Sequence, residues 1–433
     1  MSSTPKDNIM KITIVATGDE ILYGELADTN SAWLSEQLFK NGILVSNHIH
    51  IGDFQDQIVG LMRQLSAEAD VALFSGGLGP TEDDLTIEAV CELLQVQPVI
   101  DEPSLERAKQ VYESLNFEFT TNNEKQSMVP QGSRVIPNPI GLAPAFSILY
   151  GPCTFYFLPG VPREYKAILE QSIIPELIAL KEKFHPAPIA YKRVRIIGIP
   201  ESHLDLKMQP VMQQFPAIRY GFRAHYPEMW FKMLATGKDQ KEADKQIKSA
   251  LAEIRKILGR KIMGYDDETL ALVVGRLLSE RGLTLSTAES CTGGMIGELL
   301  TEIPGSSHYY LGGCIAYSNA VKIDLLGVDP ETINQIGAVS QTCALEMAAG
   351  ARQKFKTDLA ISVTGIAGPE GGSKEKPVGT VHFGLVTPEN TFHLQRVLRP
   401  DRQSIRIAAA HIALDFVRRW LLGALSLPHE IKS

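Results

Sequence analysis

Val71-Ala72-Leu73-Phe74-Ser75-Gly76-Gly77-Leu78-Gly79-Pro80-Thr81-Glu82-Asp83-Asp84 is an apolar run that breaks into a glycine-rich, acidic loop. A short apolar run closed by such a loop reads as a buried strand, and amphipathic stretches around it supply helices. Upstream, Lys11 to Ala16 is another short apolar run, and a helix is expected from about Thr29 to Lys40, ended by Asn41-Gly42. Downstream, Thr154 to Leu158 leads into Pro159-Gly160-Val161-Pro162 and a helix that begins near Arg163. This βαβ rhythm predicts a mostly parallel sheet for residues 1–175.

From 176 to 263 the pattern changes. Strands are expected at Val194 to Ile197, Ile218 to Phe222 and Met229 to Ala235, with helices opening near Pro200-Glu201-Ser202 and running from Lys241 to Leu258. The outline is a small α+β unit similar to the KH type, but it lacks the GXXG clamp that KH domains close on nucleotides, so RNA binding is not expected. It carries no cluster of catalytic groups, and a connecting or dimerisation role, giving a homodimer, is the plain expectation. A third domain, 264–433, begins after Gly264-Tyr265-Asp266-Asp267. Leu270, Val273, Val274, Leu277 and Leu278 form one helical apolar face. Strands are then expected at Leu283 to Thr287, Tyr309 to Ala316 and Leu359 to Val363, with a hairpin at Val378 to Val386 and Phe392 to Val397. Helices are expected at Gln341 to Phe355 and from Asp401 onward. The whole chain reads as α/β.

The 433 residues exceed what one core usually serves. With 42 Lys+Arg against 50 Asp+Glu there is no basic excess to hold phosphate backbones, which argues against nucleic acid as a partner. Five cysteines without a CxxC pair fit neither a disulfide framework nor a zinc cluster and point to a reducing compartment, the cytoplasm. The polar start, Met1 to Asp7, does not read as a signal-peptide core, so no export is expected. No stretch reaches the roughly 20 apolar residues of a membrane helix.

Ser290 follows an expected strand and precedes Thr292-Gly293-Gly294 at a helix start, where free N–H groups and the helix dipole converge on an anion. One loop could thus supply a nucleophile and oxyanion stabilisation, or Ser290 could simply cap the helix beside a phosphate nest. A base is needed. His308, His382, His393 and His411 have no carboxylate in a triad pattern, whereas Tyr317 at a strand end is followed one turn later by Lys322, so a Ser-Lys-Tyr arrangement is preferred over an ordinary exposed lysine. Thr364-Gly365 after another strand reads as substrate-holding. Arg402 and Arg406, at i and i+4, would suit a phosphomonoester or form a solvated basic patch.

In the first domain three loops, Thr17 to Glu20, Gly76 to Asp84 and Pro159 to Glu164, follow three expected parallel strands and should meet in one crevice. Glycines permit close approach to phosphate. Asp83 and Asp84 offer hard oxygen ligands for a magnesium-type ion, or are solvated acids favoured at a helix start.

Taken together, Ala288-Glu289-Ser290-Cys291-Thr292-Gly293-Gly294, Pro304-Gly305-Ser306-Ser307, Tyr317-Ser318-Asn319, Lys322, Gly337 to Ser340, Thr364 to Pro369 and Lys376 to Val381 closely resemble the nicotinamide-nucleotide amidase domain of the CinA (competence-induced protein A) family. The resemblance implies that Ser290 is the nucleophile, that Tyr317 and Lys322 activate it, and that nicotinamide mononucleotide loses ammonia to become the carboxylate, with no metal. It places Thr292, Gly293, Gly294, Thr364, Gly365, Arg402 and Arg406 at the substrate. Gly18-Asp19-Glu20, Gly24, Asp28-Thr29-Asn30, Ser75 to Asp84 and Pro159-Gly160 resemble the same family's N-terminal domain, which is similar to molybdopterin-binding domains and is associated with metal-dependent hydrolysis of ADP-ribose to AMP and ribose 5-phosphate. On that resemblance Asp83 and Asp84 serve the metal or activate water, Glu20 and Asn30 touch metal or ribose, Lys125 meets phosphate, and Gly76-Gly77 cradles the pyrophosphate. The alternative is a nucleotide- or pterin-binding module without catalysis. Ala145 stands where the family's glycine is expected, which would add bulk where backbone approaches phosphate.

Overall fold

The structure is a computed structural model that describes residues 10–184, 186–399 and 401–425; the polar start at Met1 to Asp7 lies outside them. The chain divides into two compact units, Met1–Pro188 and Ile189–Ser433.

The first unit is built on strands β1 (Ile12–Thr17), β2 (Val45–Ile51), β3 (Val71–Ser75), β4 (Arg134–Ile136), β5 (Ala145–Tyr150) and β6 (Cys153–Leu158), in the order β2-β1-β3-β6-β5-β4. The first four in that order are mutually parallel; β5 and β4 extend the sheet antiparallel. β1 and β3 are buried along their whole length, as expected of parallel strands covered on both faces. Helix α1 (Thr29–Lys40) has the bounds expected and is capped by Asp28, whose carboxylate accepts from Ser31 N at 2.9 Å. Helix α2 (Thr86–Leu94) follows the glycine-rich loop, and α3 (Pro162–Ile168) follows Pro159-Gly160.

The expected boundary at 175 falls inside a helical stretch. A π turn at Leu169–Ile173 joins α3 to α4 (Ile174–Lys181), and Leu169, Ile173, Ile174 and Leu177 are buried against Ile12, Ile14 and Leu158, so the unit continues to Pro188. Ala145 begins β5 with its methyl in the same core, so its Cβ takes no space from a ligand in the loops.

The second unit holds two sheets. β7 (Ile189–Ile197), β8 (Arg219–His225), β9 (Glu228–Thr236) and β10 (Ile262–Tyr265) form an antiparallel sheet ordered β8-β9-β7-β10, packed on α5 (Glu201–Gln214) and α6 (Gln240–Leu258). A cut at 263 passes through β10, a strand not expected from the sequence. The next sheet has β11 (Leu285–Glu289), β12 (Tyr310–Ile315), β13 (Leu359–Gly365), β14 (Thr380–Val386) and β15 (Thr391–Val397), ordered β12-β11-β13-β14-β15, with β12, β11 and β13 parallel and the last two forming the antiparallel hairpin. Helices α7 (Leu270–Arg281), α8 (Met295–Thr301), α9 (Asn319–Leu326), α10 (Gln341–Phe355) and α11 (Arg402–Leu421) cover it. Among the described residues no helix is long and apolar enough to cross a membrane.

Candidate functional site

Ser290, Tyr317 and the Thr364-Gly365 loop lie at the carboxyl ends of β11, β12 and β13, three adjacent parallel strands, which is where an open α/β sheet forms its ligand crevice. Ser290 N donates to Val363 O at 2.9 Å and Ala316 N donates to Glu289 O at 2.8 Å, so the three strand ends are bonded to one another around the serine.

Lys322 sits in the first turn of α9, opened by Ser318, whose hydroxyl accepts from Val321 N. The lysine is not the exposed residue that a helix surface usually carries: it is 2% exposed, with Nζ 3.2 Å from Ser290 Oγ, 2.9 Å from Ala316 O and 3.2 Å from Tyr317 O. Burial holds its ammonium below the ordinary lysine value. The two carbonyls can only accept, so they fix two N–H bonds. In neutral Lys322 the remaining lone pair then faces Ser290 Oγ, which is the arrangement a general base needs.

Three other groups are displaced from this chemistry. Cys291, beside the serine, is buried and its thiol is pushed up to about 12, which keeps it a neutral thiol rather than a competing nucleophile. The Tyr317 ring is 61% exposed and its hydroxyl accepts from Arg402 Nη2 at 3.0 Å, so only its backbone carbonyl reaches the Ser-Lys pair. His382 and His393 bond each other at 2.9 Å, and His411 bonds Ile407 O, so the histidines have partners of their own.

The sequence pointed to free N–H groups at the start of α8, but the structure fills that position. The Glu289 carboxylate, 1% exposed, accepts from Gly294 N, Ile296 N and Gly297 N at 3.0, 3.1 and 2.9 Å. The helix dipole therefore acts on a built-in anion. Glu289 was missed as a site residue, although a carboxylate just before a helix-opening turn is itself the signal. Gly293 and Gly294 both adopt positive φ, 63° and 98°, which lets the chain turn from strand to helix here. Thr292 is fully buried; its O accepts from Arg406 Nη2 at 3.0 Å, while its Oγ1 has no hydrogen-bond partner among the described residues. Arg402 reaches Gly368 O as well as Tyr317. Thr364 Oγ1 donates to Ala338 O at 2.8 Å, and Gly365 is where β14 passes, a Cβ there lying 2.8 Å from Val381 Cγ2. These two shape the crevice wall.

In the first unit the loops after β1, β3 and β6 line one cleft of about 510 Å³, with Glu20, Asn30, Gly76, Gly77, Asp83 and Asp84 around it. Asn30 donates to Gly160 O at 2.8 Å and Ser75 Oγ at 3.2 Å, linking two of the loops; its Oδ1 is buried with no partner among the described residues. Gly76 and Gly77 are irreplaceable on steric grounds: Cβ atoms would stand 2.5 Å from Thr17 O and 2.2 Å from Thr86 Oγ1.

The expected metal ligands are not gathered. Among the described residues no three His, Cys, Asp or Glu side chains converge as a metal site, and the Asp84 carboxylate is turned to Thr81 N at 2.9 Å and Thr81 Oγ1 at 2.5 Å. Lys125 is likewise drawn away from phosphate duty: its Nζ donates to Thr81 O and Asp84 O at 2.9 and 2.8 Å and pairs with Glu88, so it braces the loop. Asp53, on the loop after β2, was missed because β2 is too polar to read as a parallel strand. Its carboxyl is raised by burial and by Glu20, Asp19 and Asp84, which together make the cleft strongly negative.

Three family descriptions match successive stretches: "Probable molybdopterin binding domain" over residues 13–179, "Damage-inducible protein CinA KH domain" over 191–264 and "CinA C-terminal domain" over 267–421. A CinA-like protein of Myxococcus xanthus is 39% identical over 421 residues, covering 97% of this chain and 100% of its own. A CinA-like protein of an Anaeromyxobacter species is 40% identical over 413 residues, covering 94% and 98%. Among solved structures, competence/damage inducible protein CihA from Agrobacterium tumefaciens is 43% identical and covers 35% of this chain and 95% of its own, with a TM-score of 0.34.

Proposed function

The chain belongs to the CinA family, and from that premise we propose that its C-terminal crevice hydrolyses the amide of nicotinamide mononucleotide, with Ser290 as nucleophile and neutral Lys322 as base. The observation that carries this reading is the buried Lys322 Nζ, anchored by two carbonyls and 3.2 Å from Ser290 Oγ. Ser290 Oγ attacks the carboxamide carbon as its proton passes to Lys322. Collapse of the tetrahedral adduct breaks the C–N bond, and Lys322 returns the proton to the departing ammonia. Water then attacks the ester, again giving a proton to Lys322, and nicotinate mononucleotide leaves as Ser290 is restored. The turn amides of Cys291 and Thr292, which are not bonded to Glu289, are the proposed oxyanion donors. Arg402 and Arg406 at the crevice rim are the proposed phosphate contacts. Incubation with nicotinamide mononucleotide should release ammonia, and Ser290→Ala should abolish it; a fully active Ser290→Ala protein defeats the assignment.

For the N-terminal cleft we propose hydrolysis of ADP-ribose to AMP and ribose 5-phosphate, with a divalent cation such as magnesium as a requirement. Support comes from the glycine loop at the end of β3 beside the unpartnered Asn30 Oδ1 and the concentration of carboxylates. The assay is phosphate release from ADP-ribose in the presence of a phosphatase, with and without chelator. A protein that binds ADP-ribose and releases nothing would make the domain a binding module.

A further inference from the structure

A second cavity, about 480 Å³, lies within the second unit between the end of α6, the segment leading into β10, β15 and α11. Its walls carry Arg260, Lys261, Arg396 and Arg419. The acid that lines it, Asp415, already accepts from Arg418 Nε and Nη2 at 2.9 and 2.6 Å. The four lining cations have no carboxylate partner among the described residues. In a chain of net charge −8, such a gathering of unpaired cations is not a consequence of composition.

The walls are held in place. Arg418, 2% exposed, donates to Ile262 O at 2.9 Å and Arg260 O at 2.8 Å, which bolts α11 to the backbone bearing Arg260 and Lys261. Ile197 and Met263 are buried in the core that α11 shares, so the seam is packed rather than loose. Gly198, on the wall beside Lys261, takes a positive φ of 69°, a backbone that glycine adopts without strain. Leu394, Ile412 and Phe416 provide an apolar floor.

We propose that this cavity binds a multiply phosphorylated small molecule with an apolar or aromatic body, of nucleoside polyphosphate class, at a position separate from both reaction sites. Guanidinium forks and an ammonium lining one space are the donor set that phosphate oxygens take, and the volume is that of a small-molecule pocket. Like charges held together here repel, and an anion relieves that repulsion. The Arg396 guanidinium is kept below its ordinary value by burial and by Arg419, as that repulsion requires. Since the site spans the antiparallel sheet and the last helix, occupancy would stiffen the seam between them.

The test is calorimetric titration of the full-length protein with ATP in the absence of divalent metal. Wild type is expected to bind ATP with an affinity that falls as salt rises. Lys261→Ala/Arg419→Ala is expected to weaken binding by about tenfold or more, with an unchanged melting temperature, while Lys261→Arg/Arg419→Lys retains it. Asn30→Ala and Arg402→Ala, in the two reaction sites, are expected to leave it unaltered. Wild type that binds no ATP, or a Lys261→Ala/Arg419→Ala protein that binds it undiminished, overturns the proposal. Inorganic pyrophosphate binding as tightly as ATP would overturn the role of the apolar floor.

Discussion

The Glu289 carboxylate accepts a hydrogen bond from Gly297 N at 2.9 Å, so the residue that precedes Ser290 grips the helix that follows it. With Gly294 N and Ile296 N also bound, the strand end, the serine turn and the helix start are fastened at one buried point. Glu289→Ala would leave three N–H donors without an acceptor in a closed space. The expected loss is on the order of 3 kcal/mol in urea unfolding, together with amidase activity, since the turn no longer holds Ser290 against Lys322. Glu289→Gln keeps an acceptor oxygen and should lie between. A Glu289→Ala protein as stable as wild type would remove the carboxylate from this role.

The Ser-Lys pair predicts a pH dependence of definite sign. Lys322 must be neutral to take the Ser290 proton, so kcat should rise with pH through the folded Lys322 value, which burial holds below the ordinary 10.5. Stability responds in the same direction. Between the lowered folded value and the unfolded one, the unfolded chain binds the proton more strongly, so this group's contribution improves as pH rises through that window and is least favourable below it. Lys322→Met should cost about a thousandfold in kcat and remove this part of the stability slope. Rates within tenfold of wild type would dismiss Lys322 as base.

What could be read from the residues follows how local the cause is. Buried strands such as Val71–Ser75 announce themselves as apolar runs before glycine loops, and α1 carries both its Asp28 cap and its Asn41-Gly42 stop within the same fifteen residues. Val45–Ile51, alternating polar and apolar, gave no such signal because it is the sheet's edge, open on one side, and Asp53 was lost with it. That Ser290 and Lys322 meet was legible because a strand end and one helical turn fix both positions. Tyr317 was assigned to chemistry on proximity in sequence, but its ring turns out of the crevice toward Arg402, a partner 85 residues away that no local pattern marks. The bonds that Lys125 makes were hidden for the same reason, since its carbonyl partners lie 41 and 44 residues upstream.

Tyr317→Phe tests that correction. Its hydroxyl serves Arg402, so the variant should retain kcat within about threefold and shift KM, whereas a proton shuttle would lose kcat by orders of magnitude. Arg402→Ala removes the partner itself and should raise KM for nicotinamide mononucleotide by about tenfold with kcat little changed, the signature of a lost phosphate contact. A large fall in kcat for Tyr317→Phe would return the ring to the catalytic machinery.

Lys125 offers the sharpest distinction in the N-terminal cleft. As a phosphate ligand it would be silent in the free protein and felt only when a nucleotide binds. As the brace seen here, it holds Thr81 and Asp84 through their carbonyls, so Lys125→Met should loosen the loop before any ligand arrives. Amide exchange over residues 77–86 is expected to quicken by about tenfold in the free variant, because the opening of that loop no longer breaks two charge-assisted bonds. The ADP-ribose turnover proposed for this cleft should fall with it. The amidase activity proposed for the C-terminal crevice should be unaffected, because Ser290 and Lys322 are held by bonds within their own unit. Exchange unchanged in the free protein, with nucleotide affinity lost, would restore Lys125 to the phosphate.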